Sequence, residues 1–382
     1  MFEAVIVGAG FVGSLTALEL AKRGIDVLLF EEHKKVGEPP HCAGLVGISG
    51  LKRINLFDEL KKEGLILNYI SSARFYTPSG RSFKIDARKP IAVVLDRVTM
   101  DKYIAGRALD FGAEIKLLTR VLSISPNGEA KIRGRNSHKE TVRANVIIDA
   151  EGATRRLLRG FPGVHMRGIL PAFQVDIRSF TLPRDFPHDS VEVFFIVPDF
   201  FAWIIPLDPI GRAWRVGAAS RKNAKKLRKI VINIAKRRFG NFSIEKSFGG
   251  LVVSGGPIKR FHWNRIIAVG DSAGQTKPTT GGGVVFGGLG AIIASRVVTG
   301  FLDNTISLDA YEKIWNTFMR SNINAMLLLR KTYNTLTHRG MDVLLRFIPK
   351  PLISNIRSDF DFQLYALISL LIPMLSSKIA KF

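Results

Sequence analysis

Gly8, Gly10 and Gly13, in the string Gly8-Ala9-Gly10-Phe11-Val12-Gly13, have the spacing of a pyrophosphate-binding turn. An apolar run, residues 4–7, leads in and a helix-like stretch, 14–23, leads out. In that order each glycine has a steric task. Gly8 permits the tight turn, Gly10 lets backbone amides approach phosphate, and Gly13 lets helix and strand pack closely. The helix start adds unpaired N–H groups and the positive end of its dipole. A second strand, 26–30, ends at Glu31, whose carboxylate can accept both hydroxyls of an adenosine ribose. Together these residues predict dinucleotide binding.

Other reactive residue types are few. Cys42 is the only cysteine, which excludes a disulfide framework and any multi-cysteine zinc or iron–sulfur site and fits a reducing compartment. The seven histidines are scattered without metal-ligand spacing, so no metal is expected. No Gly-Lys-Ser/Thr follows a glycine loop, so there is no P-loop. The string Gly270-Asp271-Ser272-Ala273-Gly274 resembles a hydrolase nucleophile loop, but nothing else in the chain supplies the histidine base and oxyanion hole that such chemistry needs.

A hydrophobic content of 46% and a length of 382 residues give ample core for two substructures and exclude wholesale disorder. The formal charge of +24 is concentrated in residues 221–238, where nine basic side chains surround Leu227, Ile230, Val231 and Ile234 at helical spacing. Such a basic amphipathic helix either lies on an anionic membrane surface or docks by its apolar stripe as an ordinary solvated helix. Nucleic acid is not expected as a partner, because no zinc finger, basic zipper or RNP-like motif occurs. Met1-Phe2-Glu3 runs directly into the first strand, so no signal peptide is expected. No segment reads as the roughly 18 to 20 apolar residues that span a bilayer. The uncharged run 362–377, interrupted by Pro373 and followed by Lys378 and Lys381, either enters one leaflet or closes the core.

Stepping along the chain, strands and turns are predicted over 60–90, a helix over 99–111, strands at 114–118 and 120–124, and a buried strand at 146–149 that ends in the turn Ala150-Glu151-Gly152. From 168 to 255 the pattern changes to short alternating strands plus the basic helix, which reads as an inserted antiparallel sheet. A further buried strand, 265–269, ends in Gly270-Asp271, and Gly281-Gly282-Gly283 opens an uncharged helical run, 284–295. The tail from 308 onward reads as helical.

Taken in order, the opening glycine turn, Asp96-Arg97 with Asp101, and the late strand ending at Gly270-Asp271 resemble the three motifs of the FAD family that includes p-hydroxybenzoate hydroxylase. Pro39-Pro40-His41-Cys42-Ala43-Gly44-Leu45, Phe201-Ala202-Trp203-Ile204-Ile205-Pro206 and Pro278-Thr279-Thr280-Gly281-Gly282-Gly283 resemble the cysteine turn, the Tyr-x-Trp-x-Phe-Pro segment and the flavin loop of the geranylgeranyl reductase family. The resemblance covers roughly the first 300 residues. Phe201 replaces the motif tyrosine, Ile205-Pro206 the Phe-Pro pair, and Leu207 the lysine or serine that follows. The Ile-Pro variant is similar to a segment of flavin-dependent halogenases, which share the fold.

The resemblance implies an α/β protein with a Rossmann-like FAD-binding domain of the p-hydroxybenzoate hydroxylase type, an inserted antiparallel-sheet substrate domain and a helical C-terminal tail. The discontinuous FAD domain is expected over 1–67, 91–165 and 256–300, the substrate domain over 68–90 and 166–255, and the tail over 301–382. Implied FAD contacts are Gly8, Gly10, Val12, Gly13, Glu31, Cys42, Ala43, Leu45, Arg97, Val121, Gly270, Asp271, Gly283 and Val284. Cys42 is expected near both flavin and substrate, against the plainer reading of a small buried hydrophobe. Phe201, Trp203 and Pro206 are expected along the substrate, against the plainer reading of core aromatics.

The implied activity is FAD-dependent saturation of carbon–carbon double bonds in geranylgeranyl chains, on archaeal-type ether phospholipids. The rivals are a flavin monooxygenase or halogenase of the same fold, and a non-catalytic prenyl-binding escort protein. A prenylated lipid and an anionic membrane surface are the implied partners, with the protein cytoplasmic and peripheral on the cytoplasmic face of the membrane. The electron donor stays open between NADPH, ferredoxin and a quinone-linked source, since no second dinucleotide fingerprint occurs.

Overall fold

The computed structural model describes residues 1–135, 138–181, 187–335 and 360–361. The chain divides into two compact units, one formed by Met1–Pro40, Arg97–Ile169 and Val253–Arg320, the other by His41–Asp96, Leu170–Val252 and Ser321–Phe382. Residues 41–67, expected with the nucleotide-binding part, therefore fall in the second unit. The reason is long-range pairing: Leu45–Gly47 and Ile66–Ile70 both add antiparallel to Ala92–Leu95. The first part of the helix Ala310–Thr335 belongs with the first unit, where Glu312 accepts the Phe261 N–H at 2.8 Å and the Tyr311 hydroxyl accepts from Gln275 Nε2 at 2.7 Å. The uncharged run 362–377 lies outside the described residues.

In the first unit the strands Glu114–Lys116, Val27–Phe30, Phe2–Val7, Lys139–Asp149 and Ile266–Ala268 lie side by side in parallel, with His262–Trp263 antiparallel at one edge. The central runs VIV, VLLF and VIID-type ends carry no polar alternation because both faces of such a sheet are covered. Arg120–Ser125 and Glu129–Arg133 extend the base of the long Lys139–Asp149 strand as an antiparallel ribbon.

Two helices pack against each other in this unit: Phe11–Ala21 and Val284–Leu302. The second has 19 residues and is long and apolar enough to cross a membrane, contrary to the expectation that no segment is. Some 61% of it is buried within the protein, and Ser295 Oγ donates to the Thr16 carbonyl, so its apolarity is that of a core helix.

The second unit is built on a seven-stranded sheet with the order Phe242–Val253, Ile169–Ser179, Ala213–Ala219, Ala202–Pro206, Ser190–Phe194, Ser72–Tyr76, Ser82–Asp86. Ser190–Phe194 pairs parallel with Ser72–Tyr76, so the sheet expected to be antiparallel is mixed at that point. Phe57–Lys62 is helical, although the sequence pattern reads as strand from residue 60. One sheet face, carrying Ile204, Trp214, Val216 and Ala218, packs against Val231, Ile234, Ala235 and Phe239 of the basic helix Leu227–Phe239. The apolar stripe of that helix is thereby buried, which leaves Arg228, Lys229, Lys236 and Arg237 exposed, while Arg238 turns in to pair with the buried Glu192 at 3.1 Å. The opposite face carries Gln174, Asp176, Trp203 and Arg215 in adjacent register.

Candidate active site

The glycine turn of the first unit is set by steric limits. Gly8 has φ of +94°, and a Cβ there would stand 2.6 Å from the Ala150 carbonyl oxygen, while a Cβ on Gly13 would run into the Gly8 carbonyl. Gly10 differs. A Cβ at Gly10 would meet nothing within 4 Å, and Gly10 is the N-cap of a helix that no side chain caps. First-turn amides beside open space make a cradle for a phosphate anion. Glu31 is buried beneath this turn. Its Oε2 accepts the Ala9 N–H at 2.9 Å and its Oε1 accepts the His33 N–H at 2.9 Å, so the carboxylate expected at a ribose also braces the turn itself. An ionised carboxylate has about four acceptor sites, which leaves room for a hydroxyl.

The late motif closes on the first. A Cβ on Gly270 would lie 3.1 Å from the Val12 side chain, and one on Gly287 would lie 2.7 Å from Val12 Cγ2. A Cβ on Gly283, the N-cap of Val284–Leu302, would lie 2.7 Å from Asp271 Oδ1. Gly10, Val12, Gly270, Asp271, Gly283 and Val284 thus gather at facing helix starts, although 270 positions separate some of them in sequence. Arg97 opens the helix Arg97–Asp110, donates Nη2 to Asp101 Oδ1 at 2.9 Å and lies 5.7 Å from the Phe11 ring centre. Desolvation pushes the Asp271 carboxyl above the usual aspartate range, while Arg155 and Arg97 pull it back. Val121 is buried in the Arg120–Ser125 strand, with its carbonyl accepting from Arg156 Nη2 at 3.0 Å.

Several residues here left no sequence signal. Arg155 is fully buried and donates Nε and Nη2 to the Asp271 carbonyl at 3.3 and 3.1 Å and Nη1 to the His165 carbonyl at 2.5 Å, which fixes the backbone of the late motif. Lys277 is only 4% exposed, and a Cβ on Gly282 would stand 2.7 Å from its Cε. Ser272 Oγ donates within 2.7 Å of both the Asp149 and Val269 carbonyls, so it is a buried brace and not a nucleophile. Asp149 itself is wholly buried. Its Oδ1 accepts the Glu151 N–H at 3.2 Å and its Oδ2 has no hydrogen-bond partner. Burial, then the neighbouring Glu151 charge, holds its carboxyl well above the ordinary range.

The cysteine turn is gripped within the second unit. Arg215 makes a bidentate pair with Asp176, Nε to Oδ1 at 2.7 Å and Nη2 to Oδ2 at 2.8 Å, and its Nη1 donates to the Cys42 and Ala43 carbonyls at 3.2 and 3.0 Å. Gln174 Nε2 donates to the His41 carbonyl at 3.1 Å, and Gln174 Oε1 accepts from Trp203 Nε1 at 3.2 Å. Trp203 lies flat over Gly217, where any Cβ would enter its ring. Phe201 stacks on Phe200 at 4.2 Å and meets Trp203 edge-on at 5.9 Å. Ala43, Leu45, Phe201 and Trp203 share one apolar cluster, and Pro206 ends the Ala202–Pro206 strand. Cys42 is half-buried, and the Gly44 N–H lies 3.4 Å from its Sγ. Arg215, Asp176 and Gln174 are the residues that sequence reasoning missed, since each is one polar residue in an alternating strand.

A parallel sheet with an uncapped glycine cradle, a buried acid after the second strand and a Gly-Asp turn beside a second helix start defines a protein that binds FAD. Residues 1–287 match the FAD binding domain family. An uncharacterised protein of Methanocaldococcus jannaschii is 31% identical over 97% of this chain and 94% of its own length. Digeranylgeranylglycerophospholipid reductase 1 of Methanococcoides burtonii is 28% identical, with 90% of this chain and 86% of that protein aligned. A crystal structure of a geranylgeranyl bacteriochlorophyll reductase-like protein of Thermoplasma acidophilum superposes with a TM-score of 0.84 at 22% identity, covering 100% of this chain and 98% of the other. This chain belongs to the FAD-binding family. It is an FAD-dependent oxidoreductase.

The buried Asp149 carboxyl sets a pH dependence. The folded protein holds this proton to higher pH than the unfolded chain, whose aspartates titrate near 3.8, so stability is present at acidic pH and is lost as pH rises through that window. Asp149→Asn, neutral throughout, is predicted to flatten the fall of Tm with rising pH in thermal melts. Parallel Tm–pH curves for the two proteins would contradict this. Arg215→Lys keeps a cation beside Asp176 but cannot make the bidentate pair and the carbonyl contacts together. Losing charged hydrogen bonds at the turn, each worth about 1.5–3 kcal/mol, is predicted to speed alkylation of Cys42 by at least about tenfold in a still-folded protein, read by mass spectrometry. An unchanged alkylation rate would show that Arg215 does not hold the turn.

Proposed function

We propose that this protein is a reductase that saturates carbon–carbon double bonds of geranylgeranyl chains on archaeal-type ether phospholipids. The observation that carries the reading is the second unit's cysteine turn, clamped by Arg215 and Gln174 and joined in one apolar cluster with Phe201 and Trp203. An isolated alkene offers no polar handle, so recognition falls to apolar and aromatic walls and to a rigid edge that fixes position. Phe201, Trp203 and Leu45 supply the walls, and Cys42 and Ala43 the edge that faces the reacting bond. The names of several relatives at 26–28% identity point to the same substrate class.

Reduced FAD, when bound, would supply a hydride to one alkene carbon and become oxidised, while the other carbon takes a proton that derives from solvent. The residues of this chain bind and tune. Uncapped amides at Gly10 and the following turn would take the pyrophosphate, Glu31 the ribose and Asp271 a ribityl hydroxyl. Amides at Gly283 and Val284 would oppose negative charge on the reduced ring, as helix starts do for other anions.

A substrate with prenyl chains and a phosphate head resides in a bilayer, so the reading includes peripheral attachment at the cytoplasmic face of the membrane. The outward basic face of Leu227–Phe239 supports it, since each Lys or Arg near an anionic surface contributes about 1 kcal/mol. Dithionite-reduced protein incubated without oxygen with a geranylgeranylated phospholipid is predicted to yield lipid heavier by one pair of hydrogens per saturated bond, by mass spectrometry. An oxygen-dependent hydroxylated or halogenated product, or no product, would contradict it.

A further inference from the structure

The groove where the basic helix meets the next strand is the strongest unassigned feature. It has a volume of ≈ 620 Å³ and its lining includes Phe180, Ile232, Lys236, Phe242 and Ile244. All of these lie in the second unit. Phe180 is 69% exposed and Ile244 47% exposed, which for side chains of this size costs apolar hydration with no packing in return.

The helix side of the groove is basic. Lys229, Ile232 and Lys236 fall at i, i+3 and i+7 and so share one side of the helix leading into the groove, and Lys225 stands in the short 3₁₀ turn just before it. The three lysines are exposed and none makes an ion pair among the described residues. The helix Leu227–Phe239 contains no Asp or Glu, and the nearest acidic strand residue, Glu245, is paired with Arg178.

We propose that this groove and these lysines dock the protein on an anionic phospholipid bilayer, with Phe180 and Ile244 entering the acyl boundary and the lysines meeting lipid phosphates. A bilayer interface supplies both partners at once, an anionic plane and an apolar layer a few ångströms beneath it. Long lysine stems lie along apolar surface while their ammonium groups stay in the wet headgroup layer, which suits Lys236 at the rim beside Ile232. The described residues that line the groove carry no carboxylate, so its lining lacks the mixed charge of a protein interface. The inference rests on the peripheral attachment proposed above and adds the face that makes it.

The test is co-flotation of the full-length, FAD-loaded protein with vesicles. Wild type is predicted to float with phosphatidylglycerol vesicles and to remain behind with phosphatidylcholine. Phe180→Asp with Ile244→Asp is predicted to weaken binding by about tenfold or more, and Lys229→Gln with Lys236→Gln by about fivefold per charge, with a shallower salt dependence. Both double variants should keep the flavin absorbance and turn over detergent-dispersed lipid at the wild-type rate. If wild type floats but the variants float equally well, this face is not the docking surface, whereas membrane attachment itself stands. If wild type does not float on either vesicle, peripheral attachment falls and this inference with it. Equal loss of activity on detergent-dispersed lipid would assign the groove to substrate binding and overturn docking.

Discussion

Close approach of bare backbone is the constraint on which the first unit depends. Val12 presses on both Gly270 and Gly287, Gly13 backs onto the Gly8 carbonyl, and Gly283 sits against the Asp271 carboxyl. A Cβ at these points would press on the Val12 side chain, the Gly8 backbone or the Asp271 carboxylate. The two helix starts are thereby brought to one place with their amides uncapped, and the anion-binding character of the site follows from that proximity. Arg155 completes it from below by tying the Asp271 carbonyl to the His165 carbonyl. An Arg buried this fully is stable only because its donors are taken by backbone oxygens and its charge faces Asp271 and Asp149.

Opposite chemistry holds the second unit's turn. There a buried ion pair, Asp176 with Arg215, reaches the chain through two carbonyls, and Gln174 repeats the device one register position along the same strand. Buried pairs of this kind stabilise little in net terms, yet removing one partner costs about 3–5 kcal/mol because the other charge is left unpaired. Their yield is position. The turn that carries Cys42 is held against rotation by two side chains from one sheet face, beside the aromatic cluster that the proposed reaction requires.

What the sequence disclosed and what it hid divide along physical lines. Glycines forced by contact leave a record, which is why the spacing of Gly8 and Gly13 before the strand that ends at Glu31 can be read directly, whereas Gly270, Asp271 and Gly283 are readable only through a family resemblance. Arg155, Lys277 and Asp149 leave no such record, because burial of a charged residue depends on distant partners and has no local pattern. The clustering of residues 41–67 with the second unit leaves no sequence signal, because Leu45–Gly47 pairs with a strand nearly fifty positions later, a link that periodicity does not encode. The helix Val284–Leu302 was read too short for the same kind of reason: Arg296 interrupts its apolar run in sequence but lies on its one exposed side in the fold.

The central claim is that electrons held by this protein pass to a prenyl double bond. Its most direct measurement is a single-turnover experiment without oxygen, in which reduced, FAD-loaded protein is mixed with a geranylgeranylated lipid and the absorbance of oxidised flavin is followed. The account predicts that the oxidised spectrum returns in proportion to the lipid added. A flavin that stays reduced until oxygen is admitted would contradict it.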